Sequence, residues 1–426
     1  MATGFPIALI PVLVSPQLWT LWLTFVGAVL VLMAIDTVLA LPRRRLKIDI
    51  EPPETLYIGD SDDLVIGLEP RGWRRRLRLE VLCDLGPDLE VQPTRRVVIP
   101  GGQRGEVRIE LSPRRRGTAR VEKLWLRWTG PFGLTSRVVQ HLVGKAVPVV
   151  PNVKAVRSAA IRFFAEDAML GLKLDRNKGD GSEFESLRDY VVGMDHRAMD
   201  WKHSARHRKL VCKEFRAERN HQIVLAVDTG YLMSEPLAGI PKLDHAINAA
   251  LLLGYFSLRA GDRISLYAFD SKVRAFSEPQ SGVGAFPRLQ RMTADLEYQH
   301  DETNFTLALA ELATRLRRRS LVVVLTDFVD SITAELMVEN VQRLARRHLV
   351  LFVATRDPSM EAAATGKPYS VRDIGRAVVA GQFDRERDVV IERLKRSGVH
   401  CVDVDPSQVS VEMLNRYLEI KRRELI

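Results

Sequence analysis

Hydrophobic and polar positions follow three different rhythms along the chain. From Leu18 to Leu41 runs a predominantly apolar stretch of 24 residues with one acid, Asp36. About 20 apolar residues in helical conformation cross the hydrocarbon core of a bilayer, so this stretch predicts a transmembrane helix. Trp19 and Trp22 stand at one end, where an interfacial aromatic belt belongs. The shorter run Phe5 to Val14 is ten residues long and too short to span by itself. With Pro11 and Pro16 beside it, one span and a tight hairpin both remain open, and residues 1–45 are assigned to the membrane anchor.

Residues 46–150 carry the second rhythm. Short alternating or β-branched runs, Leu46 to Ile50, Leu64 to Leu68, Leu77 to Leu82, Arg96 to Ile99, Val107 to Leu111 and Val121 to Trp128, recur between Pro and Gly turns. Such spacing predicts an antiparallel β-sandwich-like domain or a barrel. Residues 151–220 are polar and irregular and read as a linker region. In residues 221–426, continuous apolar runs alternate with helical stripes. The runs are Ile223 to Val227, Ile264 to Phe269, Leu321 to Leu325, Leu349 to Ala354 and Val399 to Val404. Strands apolar on both faces and separated by helices predict an α/β fold with a doubly wound parallel sheet. Asp228 and Asp327 then fall at carboxyl ends of strands, where such sheets bind ligands.

Composition narrows the setting. Apolar content of 46% and charged content of 27% belong to folded protein. The net charge of +10 is carried largely by arginine runs such as Arg43 to Arg45, Arg74 to Arg76, Arg114 to Arg116 and Arg317 to Arg319. The runs are scattered and lack interleaved aromatics, so they read as solvated surface and nucleic acid is not implied. Arg43, Arg44, Arg45 and Lys47 directly follow the apolar run, and the positive-inside rule places everything after residue 42 in the cytoplasm. A cleaved signal would carry its charges before the run, so the expected location is the inner, cytoplasmic membrane. Cys83, Cys212 and Cys401 are odd in number and far apart, which argues against a disulfide framework and lacks zinc spacing.

The densest motif lies between the two soluble domains, running from Gly181 to Tyr190 and from Gly193 to Arg206. Glu183, Phe184, Arg188, Tyr190, Asp195, Arg197, Asp200, Trp201 and Arg206 predict a buried ion-pair network, because charges buried at such density need specific partners. The sharper alternative is a metal-dependent hydrolase built on Asp195, Asp200, His203 and His207, the two histidines being four apart. In the metalloprotease pattern a Glu follows the first histidine; here Ser204 stands in its place. Phosphate-loop, nucleophile-elbow and dinucleotide-loop motifs are also missing, so a conventional enzyme is not expected.

The Gly181 to Arg206 run, Lys213 to Glu218 downstream, and Arg115-Arg116-Gly117 with Pro131-Phe132-Gly133-Leu134 upstream together resemble the bacterial domain of unknown function fifty-eight family. That resemblance implies membrane helices, a β domain and a von Willebrand factor A-like domain. It also implies a role as adaptor to an AAA+ ATPase of MoxR type, acting on a client the sequence does not identify. An A-domain in turn implies a metal-ion-dependent adhesion site, with Asp228, Thr303 and Asp327 as its ligands. Its first motif reads Asp228-Thr229-Gly230-Tyr231-Leu232, so both serine hydroxyls are lost, to Gly230 and Leu232. A hard cation such as Mg²⁺ wants about six oxygens, so this degenerate site is expected to hold no ion and the protein to need no cofactor.

Overall fold

The apolar run after residue 18 forms a single helix, α1 (Trp19–Leu39), long and apolar enough to cross a membrane. Its side chains are largely exposed, Val31 by 58% and Val38 by 82%, which suits lipid as the surrounding medium. The computed structural model describes residues 19–90, 92–156, 158, 178–191, 199–216, 221–329, 334–366, 369–423 and 425. The segment Phe5 to Val14 lies outside them. The chain divides into two compact units, Met1–Val150 and Pro151–Ile426.

In the first unit the strands are β1 (Leu46–Glu51), β2 (Leu56–Tyr57), β3 (Asp62–Pro70), β4 (Leu77–Leu85), β5 (Arg95–Ile99), β6 (Gly105–Leu111), β7 (Gly117–Thr129) and β8 (Ser136–Val150). They form a three-stranded sheet in the order β1-β3-β6 and a five-stranded sheet in the order β2-β8-β7-β4-β5. All pairs are antiparallel except the short parallel contact of β2 with β8. Alternate residues are buried, as in Leu64, Ile66 and Leu68 of β3, or Leu124, Leu126 and Trp128 of β7. Each fully buried side chain of this size contributes roughly 2 kcal/mol. The expected strands stop at Trp128, yet β8 is the longest in the unit. Gly144, Pro148 and a largely exposed outer row hid it from a reading based on alternation. Arg116 departs from the expected solvated surface and is buried.

One contact ties α1 to the sheets. Asp36, the lone acid of the apolar run, is fully buried. Its Oδ1 accepts from the Phe132 amide (2.7 Å), and its Oδ2 accepts from the Leu134 amide (3.0 Å), the Thr135 amide (2.8 Å) and Thr135 Oγ1 (3.0 Å). In a helix that crossed a bilayer an unsatisfied acid would cost about 3 kcal/mol or more, and four donors would offset that. Residue 130 in the same turn must be glycine, because a Cβ there would stand 2.3 Å from Asp36 Oδ1.

The second unit opens with an antiparallel ribbon of β9 (Lys178–Asp189) and β10 (Val211–Arg216), with the short helix α2 (Trp201–His207) between them in sequence. Next come β11 (Gln222–Asp228), the small pair β12 (Pro236–Leu237) and β13 (Ile240–Pro241), and α3 (Lys242–Arg259). They are followed by β14 (Arg263–Phe269), β15 (Val273–Phe276), β16 (Gln280–Ser281), α4 (Phe286–Ala294), α5 (Phe305–Arg315) and β17 (Leu321–Leu325). The last elements are α6 (Ala334–Ala345), β18 (Leu349–Thr355), α7 (Pro358–Thr365), α8 (Val371–Arg396), β19 (His400–Val404) and α9 (Val409–Arg422).

The main sheet runs β15-β14-β11-β17-β18-β19, with β16 also on β14. Five successive strands, β14, β11, β17, β18 and β19, are parallel, and β15 and β16 are antiparallel at the β14 edge. Ile223, Leu225 and Val227 enter one core with α3, α4 and α9, while Val224 and Ala226 enter another with α5, α6 and α8. Both sheet faces are therefore covered, which accounts for the continuous apolar runs. The unit is a mixed α/β fold. Chain order reverses between β11 and β17, since β14 precedes β17 yet lies on the far side of β11.

Candidate functional site

In parallel sheets covered by helices on both faces, side chains converge outside the carboxyl ends of the strands where the order reverses. Here that place lies between Asp228, which ends β11, and Thr326 and Asp327, which follow β17. Asp228 is almost fully buried. Its Oδ1 accepts from the Gly230 amide (2.8 Å) and Thr303 Oγ1 (2.7 Å), and its Oδ2 accepts from Thr326 Oγ1 (2.5 Å). Burial pushes this carboxyl up to about 6 and nearby Asp270 adds to the effect, against the pull of the three hydrogen bonds.

Beside it, Asp270 follows β14 as Asp228 ends β11. Asp270 Oδ2 accepts from Thr229 Oγ1 (3.0 Å) and from Arg274 Nε. Burial works against its ionisation, but the Arg274 guanidinium, the Lys272 amide and the Thr229 hydroxyl together outweigh burial and hold the carboxyl below its ordinary range. Arg274 also reaches Asp301 at 3.1 Å.

Asp327 turns the other way. Lys242 Nζ donates to its Oδ2 and Arg387 Nη1 to its Oδ1, each at 2.8 Å. Arg387 goes on to Asp403 Oδ1 (2.9 Å) and the Thr355 carbonyl (3.0 Å), and Arg356 reaches Asp403 Oδ2 (2.9 Å) and Asp388 (2.8 Å). The result is an alternating chain of charges across the ends of β17, β18 and β19. Burial opposes the charge on Lys242 and Arg387, and the acids beside them more than restore it, raising both above their usual range. Arg387 also lies over the Phe328 ring, 4.9 Å from its centroid. A pocket of about 250 Å³ opens here, lined by Lys242, Asp327, Phe328, Arg356 and Arg387 among others.

Of the three residues expected as metal ligands, Asp228 and Thr303 meet, and Asp327 does not join them. Asp327 is held by two cations, so a dication would have to displace both to use its oxygens. Asp228 has both oxygens committed to three donors. A Cβ at position 230 would lie 2.1 Å from Thr303 Oγ1, so the close approach of Thr303 to Asp228 requires glycine there. This donor set does not fit a hard cation. Among the described residues no group of three or more His, Cys, Asp or Glu side chains could hold a metal.

The inter-domain motif is described only in part, and there Asp200 meets other partners than expected. Asp195 and Arg197 lie outside the described residues, as do the side chains of Glu183, Phe184 and His207. Asp200 is buried, but its partners are not arginines. It caps α2, accepting from the amides of Lys202 (3.0 Å) and His203 (3.1 Å), and its Oδ2 meets His203 Nδ1 at 2.9 Å and Lys213 Nζ at 3.3 Å. The backbone and side-chain hydrogen bonds of His203 lead in holding the Asp200 carboxyl far below its ordinary range, with Lys213 assisting. Four donors meet the needs of Asp200 without a guanidinium, so Arg206 and Arg188 remain exposed and Trp201 is 67% exposed. Tyr190 is half-buried, its amide donating to the Leu210 carbonyl at 2.9 Å. Ser204 Oγ is used within the fold, bonding the amide and carbonyl of Val211.

Lys242, Asp270, Arg274, Arg356, Arg387 and Asp403 belong to the strand-end assembly and were not among the sequence candidates. Asp270 carried a usable signal, an acid directly after an apolar strand, the same pattern that pointed to Asp228. Arg387 carried none, since it sits in a helix sixty residues from Asp327.

Comparison with known proteins adds little by structure. BatB from Bacteroides thetaiotaomicron aligns over 48% of this chain and 100% of its own, at 15% identity and a TM-score of 0.33. An Escherichia coli alpha-2-macroglobulin aligns over 26% of this chain and 17% of its own, at 17% identity and a TM-score of 0.22. By sequence, uncharacterized proteins of Mycobacterium tuberculosis and Mycobacterium bovis are 26% identical over 231 residues, 54% of this chain and 66% of theirs. The chain thus spans just under two thirds of the length of these relatives. Residues 186–392, from β9 into α8, match the family described as protein of unknown function DUF58.

Proposed function

We propose that this protein is a membrane-anchored adaptor. Its second unit is a von Willebrand factor A-like domain with a doubly wound sheet, and it presents its strand-end surface to a partner protein. The observation that carries this reading is the crevice at the strand-order reversal. Where such folds hold a ligand, the charged side chains are engaged in hydrogen bonds and ion pairs internal to the chain. Among the described residues such a site offers no open coordination position and no free nucleophile, and it suits recognition through a fixed pattern of charges. The partner implied by the family resemblance is a AAA+ ATPase of MoxR type, with the soluble units in the cytoplasm. Anchoring confines the search for such a partner to the membrane plane and raises its effective concentration.

The test is binding of the full-length protein in lipid nanodiscs to the MoxR-type ATPase of the same organism, with and without EDTA. The adaptor reading expects binding that survives chelation and weakens when Arg356, partly exposed at the strand ends, is replaced by Glu. Absence of binding, or binding abolished by EDTA, removes it.

The contact between Asp200 and His203 favours one rival, a metal-dependent hydrolase that also uses Asp195 and His207. Against it, the Asp200 carboxylate is already engaged by the first amides of α2 and by Lys213. Stoichiometric zinc in the purified protein, lost in His203→Ala, would favour the rival over the adaptor.

A further inference from the structure

The turn between β7 and β8 is joined to the apolar helix by its backbone. Three amides of the turn, those of Phe132, Leu134 and Thr135, donate to Asp36. Nearby, Trp128 Nε1 donates to the Leu41 carbonyl at 3.1 Å, so the end of β7 is fastened just past the end of α1. Asp36 is three residues before the last residue of α1 and five before the last residue of the apolar run, Leu41. At about 1.5 Å per residue, the turn lies roughly 5–8 Å back along the helix from the point where its apolar character ends. That is the depth of the headgroup and upper acyl region for a helix that spans the bilayer.

Residues at this depth face lipid unless the protein covers them. Pro131, Phe132 and Gly133 are exposed, Phe132 by 58%. The turn exposes no charged side chain between Gly130 and Thr135. Its own polar backbone is largely engaged, with the Gly130 amide on the Thr135 carbonyl and the Gly133 amide on the Gly130 carbonyl, both at 3.0 Å, and the other three amides on Asp36. Satisfied backbone and an exposed aromatic are what an interfacial segment needs.

We propose that this turn, Gly130 to Thr135, is a second membrane contact, a foot that seats in the lipid interface with Phe132 inserted at the boundary of headgroups and acyl chains. Its ligand is the bilayer surface itself. Asp36 is the tether, and glycine at 130 allows the carboxylate to reach the turn. The two-point attachment fixes the β unit against the membrane instead of letting it swing on a flexible joint. This inference rests on the transmembrane reading of α1.

The experiment uses the full chain in liposomes doped with spin-labelled lipid, with an environment-sensitive fluorophore on one introduced cysteine at a time; Cys83, Cys212 and Cys401 are all buried. Val31→Cys, exposed on α1, reports the span. Phe132→Cys reports the foot. Ala146→Cys is the distant control, because it is exposed ten residues along β8 from Ser136, about 33 Å away at strand rise. The expected result is quenching at Val31 and Phe132 and none at Ala146. In an Asp36→Ala background, Phe132 should lose its quenching while Val31 keeps it. Quenching at Val31 without quenching at Phe132 overturns the foot and leaves the span intact. No quenching at Val31 overturns the transmembrane reading, and the foot with it.

Discussion

At Asp228 the balance between burial and hydrogen bonding has a measurable consequence. Its carboxyl is pushed up to about 6, above the roughly 3.9 of an unfolded Asp. The folded state therefore binds the proton more tightly, and this group's contribution to stability falls as pH rises from about 4 to about 6. The loss reaches up to about 3 kcal/mol and stays constant at higher pH. Asp228→Asn keeps one oxygen for the Gly230 amide and Thr303, and its amide can donate to Thr326. It should remove that slope and raise the melting temperature at pH 7. Melting curves from pH 4 to 7 decide the matter; an unchanged slope in the variant places the effect elsewhere.

Gly230 gives the complementary prediction. Restoring the adhesion-motif hydroxyl by Gly230→Ser drives a Cβ toward Thr303 Oγ1, and overpacking of this kind costs about 1–3 kcal/mol. The variant should melt lower and still fail to bind Mg²⁺ in titration calorimetry. Metal binding gained by this single change would show that the site is one residue from function.

Among elements, α2 depends on Asp200. Removing it in Asp200→Ala takes away the acceptor for two first-turn amides and leaves Lys213 without this acid. The Asp200 carboxyl is depressed, so its contribution is present above the unfolded value near 4 and is lost as pH falls below it. The variant should therefore melt lower than wild type at pH 7, with the gap narrowing in acid. Faster amide exchange should appear in α2 and β10. A melting temperature equal to wild type at pH 7 would remove Asp200 from the elements that hold this ribbon.

At the strand ends, α8 is joined to the sheet through Arg387. Breaking a buried pair by removing one partner typically costs about 3–5 kcal/mol; Arg387 serves two buried acids, Asp327 and Asp403, whereas Lys242 serves Asp327 and the exposed Glu235. Arg387→Met should thus destabilise by about 3 kcal/mol, more than Lys242→Met. Chemical denaturation of both variants gives the comparison, and equal losses would mean that buried Asp403 adds no more to Arg387 than exposed Glu235 adds to Lys242.

For the whole molecule, the division at Val150 predicts that residues 151–426 fold without α1 and the β sheets of the first unit. The two cores on either face of the main sheet lie entirely within that fragment. It should unfold in one cooperative transition, and its Mg²⁺ and Mn²⁺ titrations should show nothing tighter than millimolar. Loss of cooperativity on excision would mean the second unit borrows stability from the first. Micromolar binding abolished by Asp228→Ala would establish metal-mediated recognition after all.

Local pattern was enough to locate the apolar helix, six strands of the β unit and the five parallel strands of the main sheet. These elements bury one face or both, and burial writes a period into the sequence that can be read residue by residue. It was enough, too, to place Asp228 at a strand end, whereas Thr303 was implied only by the A-domain resemblance and is brought to Asp228 by the fold. The long α8 escaped because only a few of its residues, Ala380, Val390, Ile391 and Leu394, are buried, and a mostly solvated helix carries little periodicity. The partners of the charges lay beyond local pattern altogether. Asp327 meets Lys242 and Arg387, Asp36 meets a turn almost a hundred residues away, and Asp200 takes amides and a lysine in place of the expected arginines. A charge can be satisfied by any donor that the fold carries to it. Spacing along the chain fixes which face a residue occupies, and only the packing of distant elements decides what it meets there.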